Sequence, residues 1–134
     1  MLAGLRFRPA AALSSAALVF CLTQVLGVSN AFAFSASFAW CGEASPNFQL
    51  KDVPARTVNL QFAMTDLDKP SFRHGGGMVG YRGQPEVPCG AFASGFVGPA
   101  PPPGEVHTYE FNIKALDSDG AVLATTTARR KFPE

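Results

Sequence analysis

Two segments, Val58–Thr65 and Thr108–Ala115, alternate apolar and polar side chains. In the first, Val58, Leu60, Phe62 and Met64 share a face opposite Asn59, Gln61 and Thr65; in the second, Tyr109, Phe111 and Ile113 alternate with Thr108, Glu110, Asn112 and Lys114. Successive side chains of a strand point to opposite faces, so this period of two predicts half-buried strands that share one core. Phe34–Phe38, where Phe and Ala alternate with Ser, is a shorter candidate. Ala121–Thr127 is β-branched enough for another, after a turn at Asp117-Ser118-Asp119-Gly120. No stretch beyond residue 33 has convincing helical periodicity. Gly75–Pro103 holds most of the remaining glycine and proline, and reads as a long binding-loop system or a partly mobile connection. The fold class expected is all-β: a small antiparallel β-sandwich with long Pro/Gly-rich loops.

The first 33 residues follow other rules. Arg6 and Arg8 precede an apolar run, Ala10 to Leu26, broken only by Ser14, Ser15, Thr23 and Gln24. Gly27, Ser29 and Asn30 then lead to Ala31-Phe32-Ala33, the small-x-small pattern that a signal peptidase accepts. Residues 1–33 are therefore expected to be a signal peptide and 34–134 the working domain, in the periplasm or secreted. The rival is an uncleaved membrane anchor, which the alanine-rich run and the cleavage pattern disfavour. A lipid anchor is not expected: Phe20 and Trp40 precede Cys21 and Cys41, where a lipobox needs a small residue. Losing Arg6 and Arg8 from 11 basic residues, against 10 acidic ones, leaves a nearly neutral domain without a basic stripe, a poor nucleic-acid partner. Cys41 and Cys89 remain. An even pair in an exported chain suggests one disulfide, the alternative being two buried thiols.

The chain has two histidines. His74 follows Asp66-Leu67-Asp68-Lys69-Pro70-Ser71 after the first alternating segment; His107 opens the second, behind Gly98-Pro99-Ala100-Pro101-Pro102-Pro103-Gly104. Pairing the two strands would bring Asp66, Asp68, His74, His107 and Tyr109 to one end of the sheet. An imidazole supplies N–H donors, a neighbouring carboxylate orients it and favours its charged form, and a Gly-Pro turn can aim a backbone N–H at a ligand. With a Tyr109 hydroxyl, the set suits a phosphate or carboxylate. A solvated surface histidine and simple turn chemistry at Asp66–Ser71 are the plainer alternatives.

The order of these motifs resembles the phosphatidylethanolamine-binding protein family, in its bacterial Raf-kinase-inhibitor-like branch. The resembling blocks are Phe38-Ala39-Trp40-Cys41-Gly42-Glu43-Ala44-Ser45-Pro46, Val53-Pro54-Ala55, Asp66–Ser71 with His74, and Gly98–Tyr109 ending in His-x-Tyr. The resemblance implies a β-sandwich with an anion pocket lined by Asp66, His74, Gly98, Pro99, His107 and Tyr109. It also implies Asp68 and a cis-bonded Pro70 as structural support. Three features depart from the family: Gly75-Gly76-Gly77 where an aromatic and then aliphatic strand is usual, Thr108 where an arginine is usual, and no counterpart of the C-terminal helix.

The expected function is an exported, non-catalytic binding module for a small anion or phosphate-bearing headgroup, without a cofactor. The alternative is a protein-interaction module that inhibits a kinase or protease through its loops. An enzyme is disfavoured: Ser71 near His74 comes with no nucleophile elbow and no lysine-bearing phosphate loop. The histidine and aspartate spacing matches no zinc pattern.

Overall fold

The computed structural model describes residues 33–134; the expected leader, all but its last residue, lies outside the described residues. Seven strands, β1 (Ser35–Cys41), β2 (Ala44–Lys51), β3 (Asn59–Asp66), β4 (Gly76–Gly80), β5 (Glu86–Val87), β6 (His107–Leu116) and β7 (Val122–Phe132), build two antiparallel sheets. One sheet has the order β1-β2-β5 and the other β4-β3-β6-β7. No helix occurs among the described residues. The architecture is the expected all-β sandwich.

The alternating segments form β3 and β6, the two central strands of the larger sheet, paired from Asn59↔Leu116 to Asp66↔Tyr109. Leu60, Phe62 and Met64 pair with Ala115, Ile113 and Phe111 on the inner side, all buried. Val58, expected on that face, precedes β3 and is 40% exposed. The smaller sheet supplies Phe38, Phe48, Leu50 and Val87. Phe48 meets Phe62 at 4.6 Å and Phe111 edge-on at 4.9 Å, so the two sheets interlock through rings. At one margin Trp40 Nε1–H donates to the Lys131 carbonyl and Arg130 to the Phe38 carbonyl, both at 2.8 Å, which seams β1 to β7.

The glycine run is a strand, contrary to its poor propensity, and packing explains why. A Cβ on Gly76 would lie 1.8 Å from the Phe62 carbonyl oxygen, and one on Gly77 2.5 Å from the Phe92 ring. Bare backbone lets β4 lie against β3 with Phe92 on top. The connection from Gly75 to Pro103 is correspondingly less loose than expected. It carries β4 and β5, bridges Gly75 to Phe96, and is tied to the β1–β2 turn by a Cys41–Cys89 disulfide with Cα atoms 5.9 Å apart. The C-terminal residues, which offered no helix, extend β7 to Phe132.

Candidate functional site

The β3–β6 register decides which side chains meet. Asp66 closes β3 opposite Tyr109, and His107, two residues earlier on β6, lies on the same side at the sheet's end. Asp66 Oδ1 accepts the amides of Asp68 (2.9 Å) and Lys69 (3.0 Å), an Asx turn that folds the chain back. Asp66 Oδ2 lies 2.7 Å from His107 Nδ1, and His107 Nε2 lies 3.0 Å from Glu105 Oε2. Two ionised carboxylates can only accept, so the ring donates from both nitrogens as an imidazolium. Its hydrogen bonds to Asp66, and next to Glu105, outweigh desolvation and raise His107 above its usual 6.5. Burial alone would raise Asp66, but the bond from His107 and the two amides together outweigh it and hold the carboxyl below 3.8.

His74 reaches this region from the other side. A carbonyl cannot donate, so Nδ1 carries the proton and gives it to Val97 O at 2.9 Å; the Val97 amide returns a bond to the His74 carbonyl at 2.8 Å. The ring sits against Phe72 at 4.5 Å and the edge of Tyr109 at 5.3 Å, only 2% exposed. Its Nε2 has no hydrogen-bond partner among the described residues.

A cavity of about 400 Å³ joins these groups, lined by Asp66, Asp68, Lys69, Phe72, His74, Ala100, Pro102, Glu105 and His107. Its charge is mixed: Lys69 and the His107 imidazolium stand among three carboxylates. Donor atoms of Asp66, Asp68 and His107 lie within 4.8 Å of one another. They are largely occupied already, since Asp68 Oδ2 accepts the Thr108 amide at 2.6 Å and Asp66 and His107 hold each other. The cluster is a hydrogen-bonded brace at the mouth of the sheet. Thr108, where the resembling family has an arginine, serves Asp68 through its backbone.

Three expected site positions fall elsewhere. Tyr109 has no exposed surface and does not line the cavity, because it shares the inward face of β6 with Phe111 and Ile113. Its hydroxyl has no hydrogen-bond partner of acceptable geometry, and burial, with the nearby Asp66 charge, pushes the phenol up to about 12. The ring backs the two imidazoles instead. Gly98 and Pro99 line a separate hollow of about 370 Å³ with Glu43, Phe96, Val97 and Ala100. Gly98 serves packing there: a Cβ would stand 2.9 Å from the Glu43 carbonyl oxygen. Only Ala100 lines both spaces. Pro70 borders a third, open groove on the outer side of β3 and β4. The expected cis bond before it is not formed; the cis peptide among the described residues is Phe132–Pro133. The two amide bonds to Asp66 already fix the turn before Pro70. Sequence reasoning missed Lys69, Phe72 and Glu105 as lining residues. The available signal for Glu105 was its spacing of two from His107 in extended chain.

Neither a protein-family model nor a curated protein sequence matches the chain. Among solved structures, a phosphatidylethanolamine-binding protein homologue from Chlamydia trachomatis matches with a TM-score of 0.60 at 18% identity, covering 76% of this chain and 98% of its own. Escherichia coli YbcL, described as a member of the mammalian family of that name, matches with a TM-score of 0.49 at 19% identity, over 71% and 84% of the two chains. The sandwich that the alternating strands build, and the likeness to the chlamydial homologue over nearly its whole length, give this chain the fold of the phosphatidylethanolamine-binding proteins, the family its motif order resembles.

Proposed function

We propose that the domain binds a small phosphate-bearing group in the cavity between His74 and His107, and does so without catalysis. One observation carries this reading: two buried imidazoles from distant segments border one cavity, and the His74 ring makes its hydrogen bond through Nδ1, which leaves Nε2 for a ligand. A phosphate oxygen suits that nitrogen in either protonation state. A protonated ring donates to it, and a neutral ring accepts the proton of a singly protonated phosphate. Lys69 adds a mobile cation on the same wall. The carboxylates of Asp68 and Glu105 favour a ligand whose phosphate is accompanied by an ammonium, as in an ethanolamine headgroup. A binding role is also consistent with the cysteines: Cys41 and Cys89 are bonded to each other, so neither is a free nucleophile.

Ligand that selects the folded state stabilises it by about 2.7 kcal/mol at a hundred times its Kd. Millimolar phosphoethanolamine or inorganic phosphate should therefore raise the melting temperature by several degrees, and His74→Ala should abolish the rise. No rise in the wild type, or an equal one in the variant, refutes the reading.

The same proposal includes export. A disulfide belongs to an oxidising compartment, which agrees with a leader over residues 1–33. Intact mass of the exported protein should correspond to a chain that starts at Phe34; a chain retaining the first 33 residues would overturn this part.

A further inference from the structure

His107 Nε2 faces away from Asp66, and the Glu105 carboxylate already occupies it at 3.0 Å. That carboxylate is not locked in place by packing, for its side chain is 58% exposed. The backbone beneath it is fixed: the Glu105 amide donates to the Pro102 carbonyl at 3.0 Å, and Gly104 takes a φ of +85°, which other residues avoid. A rigid turn thus presents a free-swinging anion to the one imidazolium of the cavity. An incoming phosphate seeks the same N–H. A bare anion must displace Glu105 and then remain beside it, with Asp68 adding a second negative charge on the same cavity. A ligand with an ammonium a few bonds from its phosphate meets no such conflict, because the released carboxylate pairs with the ammonium.

We propose that Glu105 is a tethered competitor at the His107 anion position, and that it makes the cavity prefer phosphate groups with a neighbouring cation over bare anions. The proposal rests on the phosphate-binding reading above and assigns the residue that sets its specificity. The chemistry is shared by a soluble phosphoethanolamine and a lipid headgroup, so both sources belong in the test.

Calorimetric titrations of the full exported domain would use inorganic phosphate, phosphoethanolamine, and phosphatidylcholine vesicles with and without phosphatidylethanolamine. In Glu105→Gln, inorganic phosphate should bind about threefold more tightly, as loss of an exposed charge-pair competitor implies. Phosphoethanolamine, or the vesicles if the lipid is the source, should bind more weakly, so that the preference falls by about tenfold. Glu105→Asp keeps the charge but is one methylene too short to reach Nε2, and should also bind inorganic phosphate more tightly than the wild type. An Asp variant that behaves like the wild type would overturn the proposal in favour of general charge repulsion. NMR titration of the His107 ring gives a readout free of ligand: its midpoint should fall in both variants, and an unmoved midpoint would show that no such contact forms. Ligand binding with an unchanged preference in Glu105→Gln overturns the role of Glu105 alone. Absence of binding in wild type and variants alike overturns the phosphate reading and this proposal with it.

Discussion

Between Asp66 and Glu105, each nitrogen of the His107 ring has its own acceptor. The folded-state value of His107 lies above 6.5, so its contribution to stability is complete below about pH 6.5 and fades as pH rises through the folded value. Asp66 has the opposite sign. Its contribution is present above 3.8 and is lost as pH falls through its lowered value. Between those two limits both act together. His107→Gln should therefore melt several degrees below the wild type at mildly acidic pH, and the gap should narrow in alkaline buffer; a gap independent of pH would refute the imidazolium assignment. At this scale the sequence was only partly legible. It named His74, His107, Asp66 and Asp68, because the chain has two histidines and both fall beside the ends of the alternating segments, next to the Asp66–Ser71 turn. It misassigned Tyr109, whose hydroxyl suggested a donor while its register, shared with Phe111 and Ile113, already placed the ring in the core.

Strands β3 and β6 were readable because each shows one face to the core and one to solvent, which writes the alternation into the residues. β2 was not, although Pro46, Phe48 and Leu50 alternate with Asn47, Gln49 and Lys51, because a proline in a run argues against a strand and Ser45 is buried out of turn. β4 was hidden for a different reason: its packing is done by what its glycines lack. Gly77→Ala would drive a methyl group into the Phe92 ring, and overpacking of this kind costs about 1–3 kcal/mol. Gly80, at the far end of the same strand, has nothing within 4 Å of an added Cβ, so Gly80→Ala should stay within about 0.5 kcal/mol of the wild type. Chemical denaturation of the two variants checks this; equal losses would mean that strand propensity, not the Phe92 contact, governs the position. The last strand escaped notice past Thr127 because Arg129, Arg130 and Lys131 look like a solvated tail. In the fold Arg129 pairs with Glu110 on β6 and Arg130 reaches the Phe38 carbonyl of β1, so these charges serve contacts that only the folded chain makes.

A molecule of this size buries a modest core; its two sheets are joined by rings and by the Trp40 and Arg130 seam, and one covalent bond ties the end of β1 to the chain just past β5. Cys41 and Cys89 are 48 residues apart, and closing a loop of that length contributes roughly 4 kcal/mol in the chain-entropy model. Replacing both with Ser should lower the melting temperature by well over 10 °C if that model holds, given about 4–8 °C per kcal/mol for so small a domain. A loss of only a degree or two would show that the folded strands hold without the bond. The fold as a whole was legible from two alternating segments; the division of the end of the sheet into one imidazole cavity and a separate Gly98–Pro99 hollow was not, because it depends on where the long connection settles.

The residues at the mouth of the cavity inherit a property from their strands. β3 and β6 are interior members of the larger sheet, each flanked on both sides by a hydrogen-bonded neighbour. Asp66 and His107 stand at the ends of these strands, each held by one neighbouring strand, at Tyr109 and at Phe132, and by the bond between their own side chains. The exposed side chains around the cavity include Lys69, Phe72 and Glu105, so entry and exit of the proposed ligand should keep the pace of side-chain rotation, not of backbone opening.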